Sequence, residues 1–361
     1  MPIPSQVSPD PGLSPEAKAA ADRYLTAAHG ISDRSQWPLL MYSTLNLFLW
    51  HLEAFETNED PVPLFAKKFN AAADFISASN TDPVNQGLFP TSVSQTVDED
   101  GFENLISGLF SDVWIEMSDD IYFEQSYNFT RERFEKNQID PEQVFGGKTV
   151  VDGGCGGGKF SATLARLGAS KVIGIDIGKK GLEFAENQAK KVPYGKNMEF
   201  LHASLLDIPL DDESVDVVWS NGVIHHTLGY EDCLREFHRI LKPGGTLFLY
   251  VNGRMGLFEL LQDSLRKAME VVPRLLFQHF LQQLGINSGR IYWIMDCCYA
   301  PYEWKGREEL EDLLVAHGFD NLKQLVRGVP SDQIEQISQG IPYARVKYGD
   351  GQLKYLATKT G

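Results

Sequence analysis

The glycine-rich stretch VVDGGCGGGKF, residues 150–160, constrains the fold of this chain more than any other segment. Five glycines stand within the six positions from Gly153 to Gly158, and the apolar residues Val150 and Val151 precede them. Because glycine has no Cβ, such a turn lets backbone amides approach a bound ligand closely. An apolar run entering a turn of this kind predicts a strand that ends in a nucleotide-binding loop.

Beyond Lys148, short β-rich runs alternate with longer amphipathic segments. This alternation is typical of a parallel sheet whose strands are joined by crossover helices. The sequence KPGG at 242–245 is expected to stop one of those helices and to turn the chain into the fifth strand. We therefore predict an α/β fold with a doubly wound, mostly parallel, seven-stranded sheet that a β pair closes. The predicted strands are 148–153, 171–176, 198–203, 215–221, 245–251, 321–327 and 352–359.

The chain is predicted to contain four regions. Residues 1–125 combine a flexible leader with a helical N-terminal region. Residues 126–253 form the core that holds the ligand site, and 305–361 add the last helix and the closing β pair. The intervening segment, 254–304, is a helical insertion that Pro273 is expected to break. We expect this insertion to cover the active site as a lid.

One segment, WPLLMYSTLNLFLWHLEAF at 37–55, has the length and the apolar character of a membrane span. Polar residues such as Ser43, Asn46 and Glu53 interrupt it, and no cluster of Lys or Arg flanks it. We therefore predict a buried helix and no membrane association. The N-terminal helical region also offers an apolar surface for a homodimer.

The net charge of −16 argues against nucleic acid as a partner, because no run of Lys or Arg is present to neutralise phosphates. A cationic cofactor meets no such objection. The four cysteines form no C-x-x-C pair and no zinc-ligand spacing, and the N-terminus lacks the pattern of a signal peptide. These features indicate a cytoplasmic protein without a metal site.

Acidic residues end the first two predicted strands. Asp152 stands two positions before Gly154, and Gly154, Gly156 and Gly158 read G-x-G-x-G rather than the G-x-G-x-x-G of a dinucleotide site. A carboxylate at this place repels a pyrophosphate and attracts an ammonium or a sulfonium. Asp176, at the end of the second strand, is placed to accept from both ribose hydroxyls.

Four blocks in this order resemble the class I S-adenosylmethionine-dependent methyltransferases: VVDGGCGGG, VIGID, SVDVVWSNGVIHHT and LREFHRILKPGGTLFLYV. The resemblance covers 126–253 closely and 300–361 more loosely, and it is strongest to the branch that methylates small molecules. It implies a Rossmann-like methyltransferase fold, S-adenosylmethionine as cofactor and a small-molecule acceptor.

The resemblance also implies roles for individual residues. Asp176 would hold the ribose, and Ile177 would pack on the adenine. Ser204 stands where the family commonly has an Asp that accepts from the adenine amino group, so a hydroxyl replaces a carboxylate there. Asn221 would face the zone of methyl transfer. A helix that folds over the cofactor is expected at 127–134, with Tyr127 and Arg131 at the methionine carboxylate; the alternative is an exposed amphipathic helix. The expected cofactor-binding residues are Asp152, Gly153, Gly154, Gly156, Gly158, Asp176, Ile177, Ser204, Leu205, Asn221, Tyr127 and Arg131.

Two histidines, His225 and His226, follow the fourth predicted strand and are the candidate catalytic residues. A neutral imidazole there can take a proton from the acceptor near pH 7. The alternative is that one or both are structural residues bonded to backbone groups. Asn221 is followed by Gly-Val-Ile and not by the Pro-Pro-aromatic pattern of nucleic-acid amino methyltransferases, which disfavours DNA or RNA as acceptor.

Two other functions remain open from sequence alone. One is a NAD-dependent oxidoreductase on a similar sheet, and the other is a non-catalytic cofactor-binding scaffold protein. The acceptor atom is not fixed by the sequence. The cations available to pair an acidic acceptor are Arg290, Lys305, Arg307, Arg345 and Lys347.

Overall fold

The computed structural model describes residues 13–31, 33–80 and 118–360, so most of the predicted N-terminal leader lies outside the described residues. The described chain divides into two compact units. The first unit consists of the described residues up to 80, together with Arg254–Ala300 and Gly340–Gly351. The second unit takes the rest. The domain boundaries expected from the sequence stay a prediction.

The first unit is helical. Ser14 caps the first helix by accepting from the amide of Ala17. Pro273 separates two helices of the predicted insertion, because it stands directly before the second of them. The predicted break is therefore confirmed. The helices of this unit are α1 (Pro15–His29), α2 (Trp37–Glu56), α3 (Pro61–Asn80), α9 (Leu257–Met269), α10 (Arg274–Gln283), α11 (Ser288–Tyr299) and α14 (Ala344–Tyr348).

Helix α2 carries the apolar segment that resembled a membrane span. Leu40, Phe48 and Phe55 on this helix are buried, and so is the polar residue Thr44, which shares a hydrogen bond of 3.2 Å with Tyr24. The prediction of a buried helix is confirmed. Across the residues that the structure describes, no helix combines the length and the hydropathy needed to cross a bilayer.

The second unit contains the sheet. Its described residues form seven strands in the order β3-β2-β1-β4-β5-β7-β6. Strands β1 to β5 are parallel, whereas β7 is antiparallel to both of its neighbours. This topology confirms the predicted α/β sheet and the closing β pair. The strands are β1 (Thr149–Gly153), β2 (Lys171–Asp176), β3 (Met198–His202), β4 (Val215–Asn221), β5 (Leu241–Asn252), β6 (Phe319–Gln324) and β7 (Gln352–Lys359).

Helices cover both faces of this sheet. On one face, Phe134, Phe145 and Leu164 pack on the strands beside Trp219 and other apolar side chains. On the other face, the helices at 230–240 and 307–316 pack on residues of β1, β2 and β5. Burial on both faces explains why the parallel strands are continuous apolar runs. The helices of this unit are α4 (Ser126–Lys136), α5 (Pro141–Phe145), α6 (Lys159–Arg166), α7 (Lys179–Ala189), α8 (Tyr230–Ile240), α12 (Arg307–Ala316) and α13 (Gln333–Ser338).

The KPGG sequence does not form the turn that was predicted for it. Helix α8 ends at Ile240 and β5 begins at Leu241, so KPGG lies inside the strand and not in a turn before it. The pairing of β4 with β5 shifts register between Val215 and Val217, and Gly244 has a positive φ of 73° there. The Pro and Gly residues therefore form an irregular start to the strand, because glycine tolerates this backbone conformation.

The stability of the first unit is expected to depend on pH through His51. Burial lowers the pKa of His51 from 6.5 to about 4, and the nearby charge of Arg290 acts in the same direction. In the unfolded chain this histidine takes up a proton below its ordinary pKa, so the native state loses stability as the pH falls from 6.5 to 4. We expect a loss of about 2 kcal/mol between pH 7 and pH 4.5.

Urea unfolding at both pH values tests this expectation. The variant His51→Phe should lose about 2 kcal/mol of the pH dependence, and the control His279→Gln removes an exposed histidine of the same unit. Equal pH dependence in the wild type and in His51→Phe would contradict the assignment.

Candidate active site

The glycine stretch forms a loop that is hydrogen-bonded to the end of β2. The amides of Gly154 and Cys155 donate to the carbonyl of Ile175 over 2.8 and 3.0 Å. The amide of Gly156 donates to one carboxylate oxygen of Asp176 over 2.8 Å. The other oxygen accepts from Gly178 over 2.7 Å. The glycine loop and the acid that were predicted to share one ligand therefore lie in direct contact.

Two glycines of this loop are required by geometry. Gly154 has a φ of 78°, and a Cβ there would lie 2.3 Å from a side-chain carbon of Val223. Gly158 has a φ of 82°, and its Cβ would lie 2.6 Å from Ala185 and 2.8 Å from the hydroxyl of Tyr122. Both positions combine the left-handed backbone region with a close approach, so neither has room for a side chain.

Asp152 lies in β1 and is buried. Its carboxylate accepts a hydrogen bond of 2.6 Å from the hydroxyl of Ser161 in the first turn of α6. Burial, opposed by the hydrogen bond from Ser161 and aided by the nearby charge of Asp176, raises the pKa of this carboxyl to about 7. Asp152 therefore ties the strand end to the helix, and it is partly uncharged near neutral pH.

The ends of β2 and β3 bring together the residues expected around the adenine. The amide of Ala203 donates to the carbonyl of Asp176 over 3.2 Å, and the ring of His202 lies 3.0 Å from the carbonyl of Ile177. Ser204 follows directly and its hydroxyl accepts from the amide of Leu206. The fold thus gathers these positions at one edge of the sheet, beside the glycine loop.

A pocket of about 210 Å³ opens at the carboxyl ends of β4 and β5. Asn221 pairs across the strands with Tyr250, and Tyr250 pairs with Lys354 of β7. Residues directly opposite one another in a sheet point to the same face, so these three side chains form a row on the floor of the pocket. The lining residues are Ile121, Gln125, Ser126, Phe129, Arg133, Lys159, Phe160, Asn221, Tyr250, Gln352 and Lys354.

The expected contact of Tyr127 and Arg131 with the cofactor stays a prediction. The guanidinium of Arg166 stacks on the ring of Tyr127 at 4.0 Å, and Arg131 pairs with Glu135 over 3.4 Å. Neither side chain lines the pocket. The helix was predicted in the right place, and Phe134 on it packs against the sheet.

The face that does meet the site carries Ser126, Phe129 and Arg133, at spacings of three and four residues. Tyr122, just before α4, lies instead beside Gly158 of the glycine loop, and its buried hydroxyl has no hydrogen-bond partner in the described structure. This helical spacing was readable in the sequence, and Lys159 directly follows the glycine loop. The strand residues Tyr250 and Lys354 gave no comparable signal, since a polar side chain in a strand is ordinary at a sheet surface.

The two histidines lie in a short 3₁₀ turn after β4, and both are buried. Nδ1 of His226 lies 2.8 Å from the carbonyl of Pro301, so this nitrogen carries the proton and Nε2 is the acceptor. The ring of His225 stacks with Tyr302 at 4.8 Å. Burial, followed by the charge of His226, holds the pKa of His225 well below its ordinary value, so His225 is uncharged at neutral pH.

Among the described residues, no group of three or more His, Cys, Asp or Glu side chains is arranged to hold a metal ion. All four cysteines are buried as free thiols. Burial raises the pKa of Cys155 well above its ordinary value, which keeps the thiol protonated beside the glycine loop.

Comparison with known proteins gives one family match. Residues 151–249 match a family model described as a methyltransferase domain. The 27-O-demethylrifamycin SV methyltransferase of Amycolatopsis mediterranei is 31% identical over 148 residues, covering 39% of this chain and 54% of that protein. The mitochondrial ubiquinone biosynthesis O-methyltransferase of Schizosaccharomyces pombe is 33% identical over 184 residues, covering 48% of this chain and 66% of that protein.

The demethylmenaquinone methyltransferase of Oceanobacillus iheyensis is 24% identical over 191 residues, covering 52% of this chain and 76% of that protein. The chain spans about half the length of the first of these relatives, 54%. The region that matches the family model, 151–249, contains the glycine loop and strands β2 to β4.

Substituting Gly154 by Ala is expected to disrupt the glycine loop. The positive φ costs about 1–2 kcal/mol, and the contact with Val223 adds about 1–3 kcal/mol of overpacking. Gly244→Ala is the matched control, because Gly244 has a φ of 73° and open space around its Cβ position. Urea unfolding should show a clearly larger loss for Gly154→Ala than for Gly244→Ala.

The double variant Gly154→Ala with Val223→Ala should recover part of that difference. Equal losses in the two single variants would show that the contact with Val223 does not limit this position.

Proposed function

Because the chain belongs to the class I S-adenosylmethionine-dependent methyltransferases, we propose that it transfers a methyl group from S-adenosylmethionine to a small-molecule acceptor. The observation that carries the proposal is the direct hydrogen bond between the glycine loop and Asp176 at the ends of β1 and β2. A glycine loop that is fixed to a carboxylate at the next strand end suits an adenosyl group. The comparisons favour neither a NAD-dependent oxidoreductase nor a scaffold protein.

The residues at this edge fit the proposed cofactor. Asp176 uses one lone pair of each carboxylate oxygen on Gly156 and Gly178, which leaves acceptor capacity for the two ribose hydroxyls. Burial raises the pKa of Asp176, and these backbone hydrogen bonds oppose that shift. Ile177, Ser204 and the amide of Leu205 would contact the adenine. The lack of space at Gly154 and Gly158 reflects close packing of the loop against Val223 and Ala185, which holds the loop in place at the end of β1.

S-adenosylmethionine supplies an electrophilic methyl group on a positively charged sulfur. The protein has to align an acceptor with that methyl group. Where the acceptor must lose a proton to react, the protein also has to take up that proton. Asn221, at the end of β4, lines the pocket and is placed to orient the acceptor. The nearby turn supplies His226, whose backbone-bonded Nδ1 leaves Nε2 as the basic nitrogen.

The remaining parts of the proposal concern the surroundings of the protein. Four buried free thiols fit a reducing cytoplasm. We propose no nucleic-acid partner.

A homodimer through the N-terminal helices would use the exposed pair Tyr42 and Phe75, with ring centroids 5.4 Å apart, since most apolar residues of α2 are buried. The role of 254–304 as a lid is part of the same proposal.

Calorimetric titration with S-adenosylmethionine, S-adenosylhomocysteine and NAD in parallel tests the cofactor. We expect micromolar binding of the first two and an affinity loss of at least about tenfold in Asp176→Ala, which is about 1.4 kcal/mol. The control is Asp216→Ala, because Asp216 lies at the opposite end of β4 and accepts from the amide of Thr149. Binding of NAD alone would replace the proposed function with that of an oxidoreductase.

A catalytic base at His226 predicts a specific kinetic effect. With an acceptor found by screening, His226→Gln should lower kcat at least about tenfold, since general bases contribute roughly 10²–10⁴-fold. The KM for S-adenosylmethionine should be unchanged. His225→Gln serves as the paired variant, and unchanged turnover in both variants would exclude either histidine as the base.

A further inference from the structure

The pocket at the ends of β4 and β5 is positively charged, in contrast to a chain with a net charge of −16. Three cations line it, Arg133, Lys159 and Lys354, and its described lining contains no carboxylate. Its apolar walls are aromatic: Phe129, Phe160 and Tyr250. Cations in a partly enclosed site interact strongly with a bound anion, because solvent screening is weak there.

Lys354 forms the floor of this pocket. Its side chain is 1% exposed, and the ammonium lies 5.1 Å from the centroid of the Tyr250 ring. It donates to Asp332 over 3.0 Å and to Gln352 over 2.8 Å. An ammonium has three donors, so one remains for a ligand. Burial lowers the pKa of Lys354 to about 7, with a further contribution from the charge of Arg133.

Asp332 lies behind the pocket and holds two of the cations in place. Arg133 donates to both of its carboxylate oxygens over 2.7 Å, and Lys354 shares one of them. Burial raises the pKa of Asp332, but the bonds from Arg133 and the charge of Lys354 outweigh it and lower the pKa overall. One carboxylate faces two cations, so this cluster keeps a net positive charge when Lys354 is protonated. Arg133 also retains three of its five donors.

Lys159 adds a third cation at the other wall. It follows the glycine loop, and its ammonium lies 5.1 Å from the centroid of the Phe160 ring. Burial and the charge of Arg133 lower its pKa to about 8, whereas Asp152 acts in the opposite direction. The lowered pKa values of Lys159 and Lys354 indicate that both would be stabilised in their charged form by an anionic ligand.

We propose that this pocket binds the carboxylate of an aromatic acceptor, with Lys354 and Arg133 as the binding cations and the ring held between Phe129, Phe160 and Tyr250. That the ligand is the methyl acceptor rests on the proposed function. Asn221 stands beside Tyr250 in the same cross-strand row, so a ring held here reaches the end of β4. This arrangement selects an acceptor that is negatively charged and planar.

Two of the cations that the sequence offered to pair an acidic acceptor, Lys305 and Lys347, are engaged elsewhere. Lys305 pairs with Glu303 and Glu309 over 2.8 and 3.1 Å. Lys347 is buried in the first unit and donates to the carbonyls of Phe55 and Thr57. Lys305 and Lys347 are therefore engaged in contacts of their own, and neither lines the pocket.

Calorimetry with benzoate and its neutral counterpart benzamide tests the proposal. The protein is titrated with each probe, with and without saturating S-adenosylhomocysteine. We expect benzoate to bind at least about tenfold more tightly than benzamide, and Lys354→Met to remove that preference. Equal affinity for both probes in the wild type would overturn the proposal.

Two further variants keep this test informative. Lys359→Met is the matched control, because Lys359 is also buried in β7 but donates to the carbonyl of Leu241 at the opposite end of the strand. It should keep the preference for benzoate. Lys159→Met, at a partly exposed position, should weaken benzoate binding severalfold even if Lys354→Met folds poorly. Unchanged preference in both pocket variants would overturn the assignment.

The amino-acid end of the cofactor is a second source of a carboxylate. Binding of S-adenosylhomocysteine is therefore compared with binding of 5′-methylthioadenosine, which lacks that end. We expect Lys354→Met to leave both affinities unchanged. If it weakens only S-adenosylhomocysteine, the cation serves the cofactor and the proposal is overturned while the proposed function stands. Selective benzoate binding by a protein that binds neither S-adenosyl compound would refute the proposed function and the ligand's role as acceptor.

Discussion

The site depends on the hydrogen bonds of the Asp176 carboxylate. It accepts from the amides of Gly156 and Gly178, and so it fixes the glycine loop of β1 against the end of β2. Charge-assisted hydrogen bonds of this kind are stronger than neutral ones, particularly where water is excluded. A loop of glycines has high conformational freedom in the unfolded chain, and these bonds offset part of the entropy that is lost when it is ordered.

A second constraint lies in the packing under α4. Phe134 is buried against Trp219, and Trp219 stacks on Phe248 with ring centroids 3.7 Å apart. This aromatic contact fixes the rotation of α4 about its axis, which brings Phe129 and Arg133 to the pocket and leaves Arg131 outside. The same contact explains how an apolar core positions a polar site. Side chains on one helix are held at fixed angles, so burying one of them orients the rest.

The pocket is positively charged, which the composition of the chain does not predict. A net charge of −16 describes the surface as a whole and disfavours polyanionic partners. It does not describe a cavity in which Arg133, Lys159 and Lys354 converge. Burial of those cations is tolerated because Asp332 and neighbouring polar groups compensate them in part. The remaining positive charge is available to a ligand.

The sequence by itself determined the features that are local along the chain. Apolar runs followed by Gly or Asp predicted the strands and the loop after β1, because strand formation and glycine turns depend on neighbouring residues. It also predicted the buried helix α2 and the break at Pro273. Two strands differed from the prediction. KPGG lies inside β5, since this sequence is also acceptable in an irregular strand. Strand β6 spans Phe319–Gln324 and not 321–327.

Only the tertiary structure decided which residues meet at the pocket. Arg133, Lys159 and Lys354 come from α4, from the first residue of α6 and from the last strand, and their separation in sequence carries no sign that they meet. The rotation of α4, which excluded Tyr127 and included Phe129, depends on packing against strands that are distant in the chain. Long-range packing selects one helix face among several that the local sequence permits, and the position of the pocket follows from that selection.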